Sequence, residues 1–99
     1  MNVFFTPEAR ADLAEIAARI ARANPARAKR VYLELRSGCE GLADMPYRFQ
    51  LVPRIEHRGV RRRIVGDFLI FYRIASEAVE ILHVRHGAMD YENSSFPEG

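Results

Sequence analysis

Residues 59–87, GVRRRIVGDFLIFYRIASEAVEILHVRHG, decide the fold of this chain. They contain three apolar runs rich in Val, Ile, Phe and Tyr, the residue types that favour a pleated strand. The runs cover residues 60–65, 68–74 and 79–86, and short breaks at residues 66–67 and 75–78 separate them. Because strands joined by such short connections pair with their neighbours, the stretch predicts a three-stranded antiparallel meander.

The two breaks also predict the register of the strands. Gly66 fits the first central position of a two-residue type II′ turn, which requires a positive φ, and that turn pairs the two residues that flank it. A second turn at Ser76 and Glu77 places Arg73 opposite Glu80. Opposite charges on neighbouring strands stabilise such a pairing.

The middle run is apolar on both sides of the predicted strand. Alternation puts Leu69 and Phe71 on one face and the other apolar residues of the run on the opposite face. A pair of helices covers only one face of a sheet well. We therefore expect Leu69 and Phe71 to remain exposed for a partner protein, and we expect the helices to leave part of Val31 and Tyr32 unburied as well.

The N-terminal half predicts a strand followed by a helical hairpin. Residues 2–5 are rich in β-prone residues. Thr6 can cap a helix that has proline at its first position, and Asn24 followed by proline repeats this arrangement. Apolar residues recur at helical spacing as far as a Met-Pro pair at residues 45–46. The predicted fold class is α+β, with an N-terminal strand, an antiparallel helical hairpin and a three-stranded antiparallel meander packed on the helices.

The length and composition predict one small intracellular domain. The chain has 99 residues, of which 48% are hydrophobic. We expect residues 1–92 to form the domain and the polar residues 93–99 to form a flexible tail. No apolar run is long enough for a membrane span, and the N-terminus lacks the regions of a secretion signal. The single cysteine, Cys39, excludes an internal disulfide, so the chain is predicted to be cytoplasmic.

Positive charge is concentrated in the middle of the chain. Residues 46–75 carry seven Arg against two acidic residues, whereas the net charge of the whole chain is only +2. Such an excess of arginine predicts an anionic or acidic partner. Alternation places Arg61 and Arg63 on one face of their strand and Arg62 on the other. An edge strand that charges protect against unwanted pairing is the competing interpretation.

Few other side chains are candidates for chemistry. His86 can act as a general base near neutral pH, or it can be a structural histidine at a strand end. His83 is three residues away and points to the opposite face, so the two histidines predict no shared metal site. Tyr91 can stack on a base or a partner, or pack the tail. Cys39 lies on the apolar stripe of the second helix and is predicted to be a buried small hydrophobe.

Six short motifs occur in order along the chain. They are Asp12-Leu13-x-x-Ile16, Asn24-Pro25-x-x-Ala28, Leu42-Ala43-x-x-Pro46, Gly59-Val60-Arg61-Arg62, Phe71-Tyr72-Arg73 and Ile81-Leu82-x-Val84-x-His86-Gly87 followed by Asp90. Their order and spacing resemble the ParE/RelE superfamily of toxins from bacterial type II toxin–antitoxin systems, and most of all its ParE branch. The resemblance implies a small α+β toxin that is neutralised by a cognate antitoxin. ParE members are implied to poison DNA gyrase, and RelE members to cleave mRNA in the ribosome.

Two positions separate these implied activities. Ribonuclease members of the superfamily place an Arg two residues before the position of Phe71, and an Arg or His near the position of Gly87; this chain has Leu69 and Gly87 there. Leu cannot stabilise the charge of a reacting phosphate, and Gly cannot transfer a proton. We therefore expect a gyrase-binding toxin that is not an enzyme. The alternatives are a ribosome-dependent mRNA endoribonuclease with a replacement site, and a chain that only binds its antitoxin.

The resemblance and the charge pattern together give candidate site residues. An unbroken meander places Phe68 roughly opposite Arg85, so one target-binding surface is expected to be bordered by Arg61, Arg63, Arg85, His86 and Tyr91. The antitoxin is expected to bind the apolar strip of Leu69, Phe71, Val31 and Tyr32. No metal or cofactor is implied. Exposed charges contribute little to stability, so exchanging Arg61 and Arg63 for Glu is expected to leave the fold intact.

Overall fold

The computed structural model describes residues 1–87 and Phe96. It contains strand β1 (Asn2–Phe5), helices α1 (Pro7–Ala21) and α2 (Pro25–Glu40), and strands β2 (Arg61–Val65), β3 (Phe68–Ala75) and β4 (Ala78–His86). Two short 3₁₀ helices, Gly41–Ala43 and Glu56–Arg58, lie between α2 and β2. These elements confirm the α+β fold. Among the described residues, no helix is long and apolar enough to cross a bilayer. The predicted boundary at residue 92 lies outside the described residues, as does the predicted tail apart from Phe96.

All four strands form one sheet in the order β1-β4-β3-β2. Strands β2, β3 and β4 pair as the predicted antiparallel meander. Strand β1 pairs with β4 in parallel, from Asn2 opposite Ala78 to Phe5 opposite Ile81, so the sheet is mixed. A parallel neighbour requires a crossover connection, and the two helices supply it by packing on one face of the sheet.

Both helices begin as their sequences predict. The Thr6 hydroxyl accepts a hydrogen bond from the backbone N–H of Ala9 at 3.1 Å, and proline occupies the first turn of α1. The Asn24 side chain accepts one from the backbone N–H of Arg27 at 3.0 Å, at the start of α2. Each cap satisfies a backbone donor that has no partner within the helix, so both helix starts are fixed locally.

Two tight turns fix the meander near its ends. Gly66 has a φ of +58°, and Val65 pairs with Phe68 across the first turn. Ser76 and Glu77 have φ of +52° and +60°, the left-handed values of a type I′ turn. Beyond that second turn, the Arg73 Nε donates to the Glu80 carboxylate at 2.8 Å, which confirms the predicted cross-strand charge pair.

A β-bulge changes the register in the middle of β4. Phe71 pairs with His83 and Tyr72 with Ile81, so Leu82 is the extra residue. Beyond the bulge, Phe68 pairs with His86, and Arg85 pairs with Leu69. The expectation that Phe68 lies opposite Arg85 is therefore wrong. An extra residue shifts each later pairing by one, and a shift of one moves a side chain to the other face of the sheet.

Side chains on both faces of the sheet are buried. The helix face carries the larger core, formed by Leu13, Leu35, Ile70, Tyr72, Ile81 and Val84 among others. On the opposite face, Leu69 is only 9% exposed and Phe71 is fully buried, because Val52, Val60 and Phe96 pack over them. The expectation that Leu69 and Phe71 remain exposed is wrong. The irregular segment of residues 51–60, which has no apolar period, covers that face.

Asp12 on α1 joins the helices to β4. Strand β1 ends at Phe5, so beyond Ile81 this edge of β4 has no strand beside it. The Asp12 carboxylate accepts a hydrogen bond from the backbone N–H of Val84 at 2.9 Å and one from the Arg85 guanidinium. Its Oδ2 also lies 3.0 Å from the Nδ1 of buried His83. One carboxylate thus replaces the missing strand and binds two β4 side chains.

Replacing Asp12 with Asn is expected to destabilise the fold. The amide removes the negative charge that pairs with Arg85, and it supplies one acceptor oxygen where the carboxylate supplies two. Hydrogen bonds to charged groups contribute about 1.5–3 kcal/mol, and we expect a loss of unfolding free energy in that range. Urea unfolding followed by circular dichroism measures it.

The matched control for Asp12 is Glu15→Gln on the same helix. Glu15 pairs with Arg19 at 2.9 Å, but both side chains are about two-thirds exposed at 69% and 68%. Exposed helical pairs of this kind contribute about 0.5 kcal/mol or less. Equal losses of stability in the two variants would contradict the role assigned to Asp12.

Gly38 is expected to tolerate no larger residue, because α2 lies close to the sheet at this point. A Cβ at Gly38 would lie 2.8 Å from the Val65 Cγ2 and 3.2 Å from the Ile70 Cδ1. Overpacking a core costs about 1–3 kcal/mol, and the better helix propensity of Ala offsets at most about 1 kcal/mol. Gly38→Ala should therefore lower the melting temperature. A Cβ at Gly41 would meet only the Arg63 Nη1, at 3.1 Å, so Gly41→Ala should lower the melting temperature less than Gly38→Ala; a larger drop there than at Gly38 would contradict the packing argument.

Candidate target-binding site

Arg61 and Arg63 bind the loop after α2 rather than facing open solvent. The Arg61 guanidinium donates to the carbonyl of Phe49 at 2.7 Å and stacks over the Tyr47 ring. The Arg63 guanidinium donates to the carbonyl of Gly38 at 2.8 Å and lies over the Phe49 ring. Both side chains are half-buried. The premise that exchanging them for Glu affects only an exposed surface is therefore wrong, because the exchange removes bonds that join β2 to α2 and to residues 47–49.

Arg85 and His86, the next residues of the predicted target-binding set, lie where β4 ends. Arg85 is paired with Asp12. His86 is exposed, and its ring meets the Phe68 ring edge-on at a centroid distance of 5.4 Å. Strand β3 lies between these residues and the arginines of β2. Tyr91, the fifth predicted residue, lies outside the described residues.

Arg85 and His86 line a cavity of about 380 Å³, which we call the hairpin cavity. It lies between the helices and the end of the sheet where the β2–β3 turn and the end of β4 meet. Its apolar part is formed by Ile16, Ile20, Phe68 and Val84. Its polar part is formed by Asp12, Glu15, Arg19, Arg27, Asp67, Arg85 and His86. A cavity with an apolar surface and a few polar groups has the composition of a binding site.

The charges of the hairpin cavity are only partly paired. Arg19 pairs with Glu15, and Arg85 pairs with Asp12. Arg27 has no side-chain hydrogen bond or ion pair with any described residue. Sequence reasoning missed this cavity because its residues come from α1, α2, β3 and β4, and helical spacing alone does not show which residues of a hairpin overhang a sheet.

The other predicted contact residues offer little open surface. Val31 is 9% exposed, like Leu69, and Tyr32 is half-buried with its hydroxyl accepting from Arg36 at 3.2 Å. Large exposed apolar side chains occur instead on α2 and at the edge of the sheet, where Leu33 is 54% and Ile64 is 68% exposed. Leu33 lines a groove between α2 and β2 that also includes Val65. Exposed apolar side chains therefore flank the β2 edge on both sides, with Leu33 on the helix side and Ile64 on the face that it shares with Leu69. Phe4, Met45 and Tyr47 are exposed elsewhere.

The positions implied for a ribonuclease site carry no acid–base group, although His86, Arg85 and three carboxylates line the hairpin cavity. Leu69 is apolar and buried, and Gly87 donates its backbone N–H to the carbonyl of Asp67 at 2.7 Å. His83 is buried beside Asp12. Burial raises the pKa of the Cys39 thiol to about 12, so it stays protonated near neutral pH, as expected of a small core residue. Among residues 1–87 and Phe96, no group of three or more His, Cys, Asp or Glu could hold a metal ion.

Comparison with solved structures finds this fold in two toxin–antitoxin systems. One is the chromosomal ParDE system from P. aeruginosa, with a TM-score of 0.76, 21% identity, and coverage of 87% of this chain and 95% of that chain. At this identity the likeness concerns the fold. The other is the RelBE2 toxin–antitoxin complex from Mycobacterium tuberculosis, with a TM-score of 0.64, 30% identity, and coverage of 89% of this chain and 92% of that chain.

Comparison of sequences gives the family. The chain is 33% identical over 87 residues to the toxin RelE2 of Caulobacter vibrioides, which covers 88% of this chain and 96% of that protein. Residues 3–91 match the family described as ParE toxin of type II toxin-antitoxin system, parDE. The chain therefore belongs to the ParE toxin family, within the ParE/RelE superfamily of toxins from type II toxin–antitoxin systems.

Proposed function

We propose that this toxin inhibits DNA gyrase by binding it and that it catalyses no reaction itself. The observation that carries the proposal concerns the two positions implied for a ribonuclease site. Leu69 is apolar and buried, and Gly87 has no side chain. General acid–base cleavage of RNA needs a positioned base, an acid and a group that stabilises the phosphate charge. Here Arg85 is paired with Asp12 and His83 is buried, so two of the nearby candidates have structural roles.

The second candidate is a ribosome-dependent mRNA endoribonuclease. Its support is the likeness to a toxin named RelE2 and to the toxin of a RelBE2 complex. A specific observation also favours it, because His86 is exposed at the end of β4 with Arg85 next to it in the sequence. Histidine is the side chain that most often acts as a general acid or base, and an exposed one can reach a substrate.

We also propose that a cognate antitoxin neutralises this toxin by covering the exposed apolar surface at the β2 edge. The two solved structures described above come from systems that pair a toxin with an antitoxin. Leu33 and Ile64 are exposed there, and among the described residues the outer side of β2 has no strand neighbour beyond the isolated bridge of Arg61 to Leu51. Exposed apolar surface beside an unpaired strand edge favours association. This surface replaces Leu69, Phe71 and Val31 as the proposed contact, because those three are buried.

The first test compares the two activities with purified toxin. In a supercoiling assay with gyrase holoenzyme and relaxed plasmid, we expect the toxin to inhibit supercoiling or to trap cleaved DNA. In a reconstituted translation reaction, primer extension on the message should show no toxin-dependent cuts. Pre-incubation with the antitoxin is the control and should abolish any effect. Cuts at fixed codon positions without any effect on gyrase would establish the ribonuclease alternative instead.

The second test asks whether His86 acts by transferring a proton or by presenting an aromatic ring. His86→Phe keeps an aromatic ring against Phe68 and cannot transfer a proton, whereas His86→Ala removes the ring. If the toxin acts only by binding, we expect His86→Phe to retain most of its growth arrest on induction and His86→Ala to retain less. A general base is worth about 10²–10⁴-fold in rate, so loss of toxicity in His86→Phe at unchanged folding would contradict the non-catalytic proposal.

A further inference from the structure

The tip of the helical hairpin carries a dense positive charge. Residues 19–30 include the basic residues Arg19, Arg22, Arg27, Lys29 and Arg30 and no acidic residue, although the whole chain has a net charge of only +2. All five side chains are exposed, at the end of α1 and the start of α2. Arg19 pairs with Glu15, whereas the other four make no side-chain hydrogen bond or ion pair with any described residue.

These charges are continuous with the hairpin cavity. Arg19 and Arg27 belong to both, and the cavity extends from them to Arg85 and His86 at the end of β4. The same lining includes the apolar side chains of Ile16, Ile20, Phe68 and Val84. A partner that satisfies both features needs negative charges together with an apolar side chain.

We propose that the hairpin tip and the hairpin cavity together bind an acidic segment of the target protein, with an apolar side chain of that segment in the cavity. This inference rests on the proposed function only in assuming that the toxin acts by binding a protein. We assign this surface to the target because Arg85 and His86 line the same cavity. These two residues belong to the predicted target-binding set. The antitoxin is assigned to the β2 edge, which has its own exposed apolar side chains.

The charge pattern disfavours two other occupants. A second copy of this chain would bring a second basic tip against the first, and like charges repel. A nucleic-acid backbone needs a track of cations, whereas Glu15, Asp12 and Asp67 place carboxylates among the cations of the cavity. The apolar side chains of the lining, Ile16, Ile20, Phe68 and Val84, contribute nothing to phosphate binding, whereas they suit an apolar side chain of a protein.

The test reverses two charges at the tip. Arg27→Glu with Arg30→Glu changes the net charge by −4. The change at Arg27 places an acidic residue in the first turn of α2, and the change at Arg30 falls on an exposed position of the second turn. Acidic residues at a helix start favour the helix, so the variant should remain folded. The matched control is Arg10→Glu with Arg48→Glu, two exposed arginines outside the cavity lining with the same change in net charge. Each variant is expressed alone for growth arrest and together with the antitoxin for co-purification.

We expect the tip variant to lose growth arrest, the control to keep it, and both to co-purify with the antitoxin. In a binding assay with gyrase holoenzyme at low salt, the tip variant should bind at least about tenfold more weakly than the control, and added salt should shrink the difference. Arg27→Lys with Arg30→Lys keeps the charge and should behave nearly as the wild type. Ile20→Ala, which removes part of the apolar lining, should weaken the same interaction while leaving the salt dependence unchanged.

Four results would overturn the inference. Full toxicity of the tip variant would exclude the surface from target binding. Loss of antitoxin co-purification in the tip variant alone would assign the surface to the antitoxin. A tip-dependent affinity for a 20-base-pair DNA duplex in the absence of protein would assign it to nucleic acid. A wild-type chain that causes no growth arrest would remove the target itself. If the wild type arrests growth without affecting gyrase, the gyrase proposal fails, while growth arrest by the tip variants still decides the role of the surface.

Discussion

The interaction between Asp12 and β4 determines how the two halves of this fold meet. Strand β1 pairs with β4 only as far as Ile81, and the open edge beyond it would leave the Val84 N–H without a strand partner. The Asp12 carboxylate of α1 supplies that partner and also binds Arg85. This bond fixes α1 against the edge of the sheet. Asp12, Val84 and Arg85, which take part in it, also line the hairpin cavity, so the same contact forms part of the cavity wall.

Arginine has two different roles in this protein, although the residues look alike in the sequence. Arg61 and Arg63 donate to backbone carbonyls at Phe49 and Gly38, so their charge stabilises the loop after α2. Residues 22–30 carry cations that bind no described residue and face solvent. A planar guanidinium with five donors suits the first role, where it links several backbone groups. Cations in the second role influence a partner mainly through long-range attraction and orientation.

The family membership and the structure give different information about the activity of this chain. Family membership makes the chain a toxin of a toxin–antitoxin system, but ParE and RelE relatives share this fold, so the fold alone selects no target. The proposed choice between the two activities rests on residues at the end of the sheet. There the strands present a buried Leu69, a Gly87 whose backbone pairs with the β2–β3 turn, and a His83 held beside Asp12. These residues favour the proposed binding activity over catalysis. The exposed His86 is the group that supports the ribonuclease alternative.

By itself, the sequence determined the features that depend on residues close together in the chain. The caps at Thr6 and Asn24, the glycine turn after β2 and the Arg73–Glu80 pair each involve residues at most seven apart, so local geometry specifies them. Only the tertiary structure decided the parallel pairing of β1 with β4, the bulge at Leu82, the cover of residues 51–60 over Phe71, and the reach of Asp12 to β4 across 72 residues of sequence. Strand periodicity says which residues share a face, but it does not show an inserted residue or name the segment that covers that face. Those outcomes follow from competition among distant segments for the same apolar surface and the same unpaired strand edge.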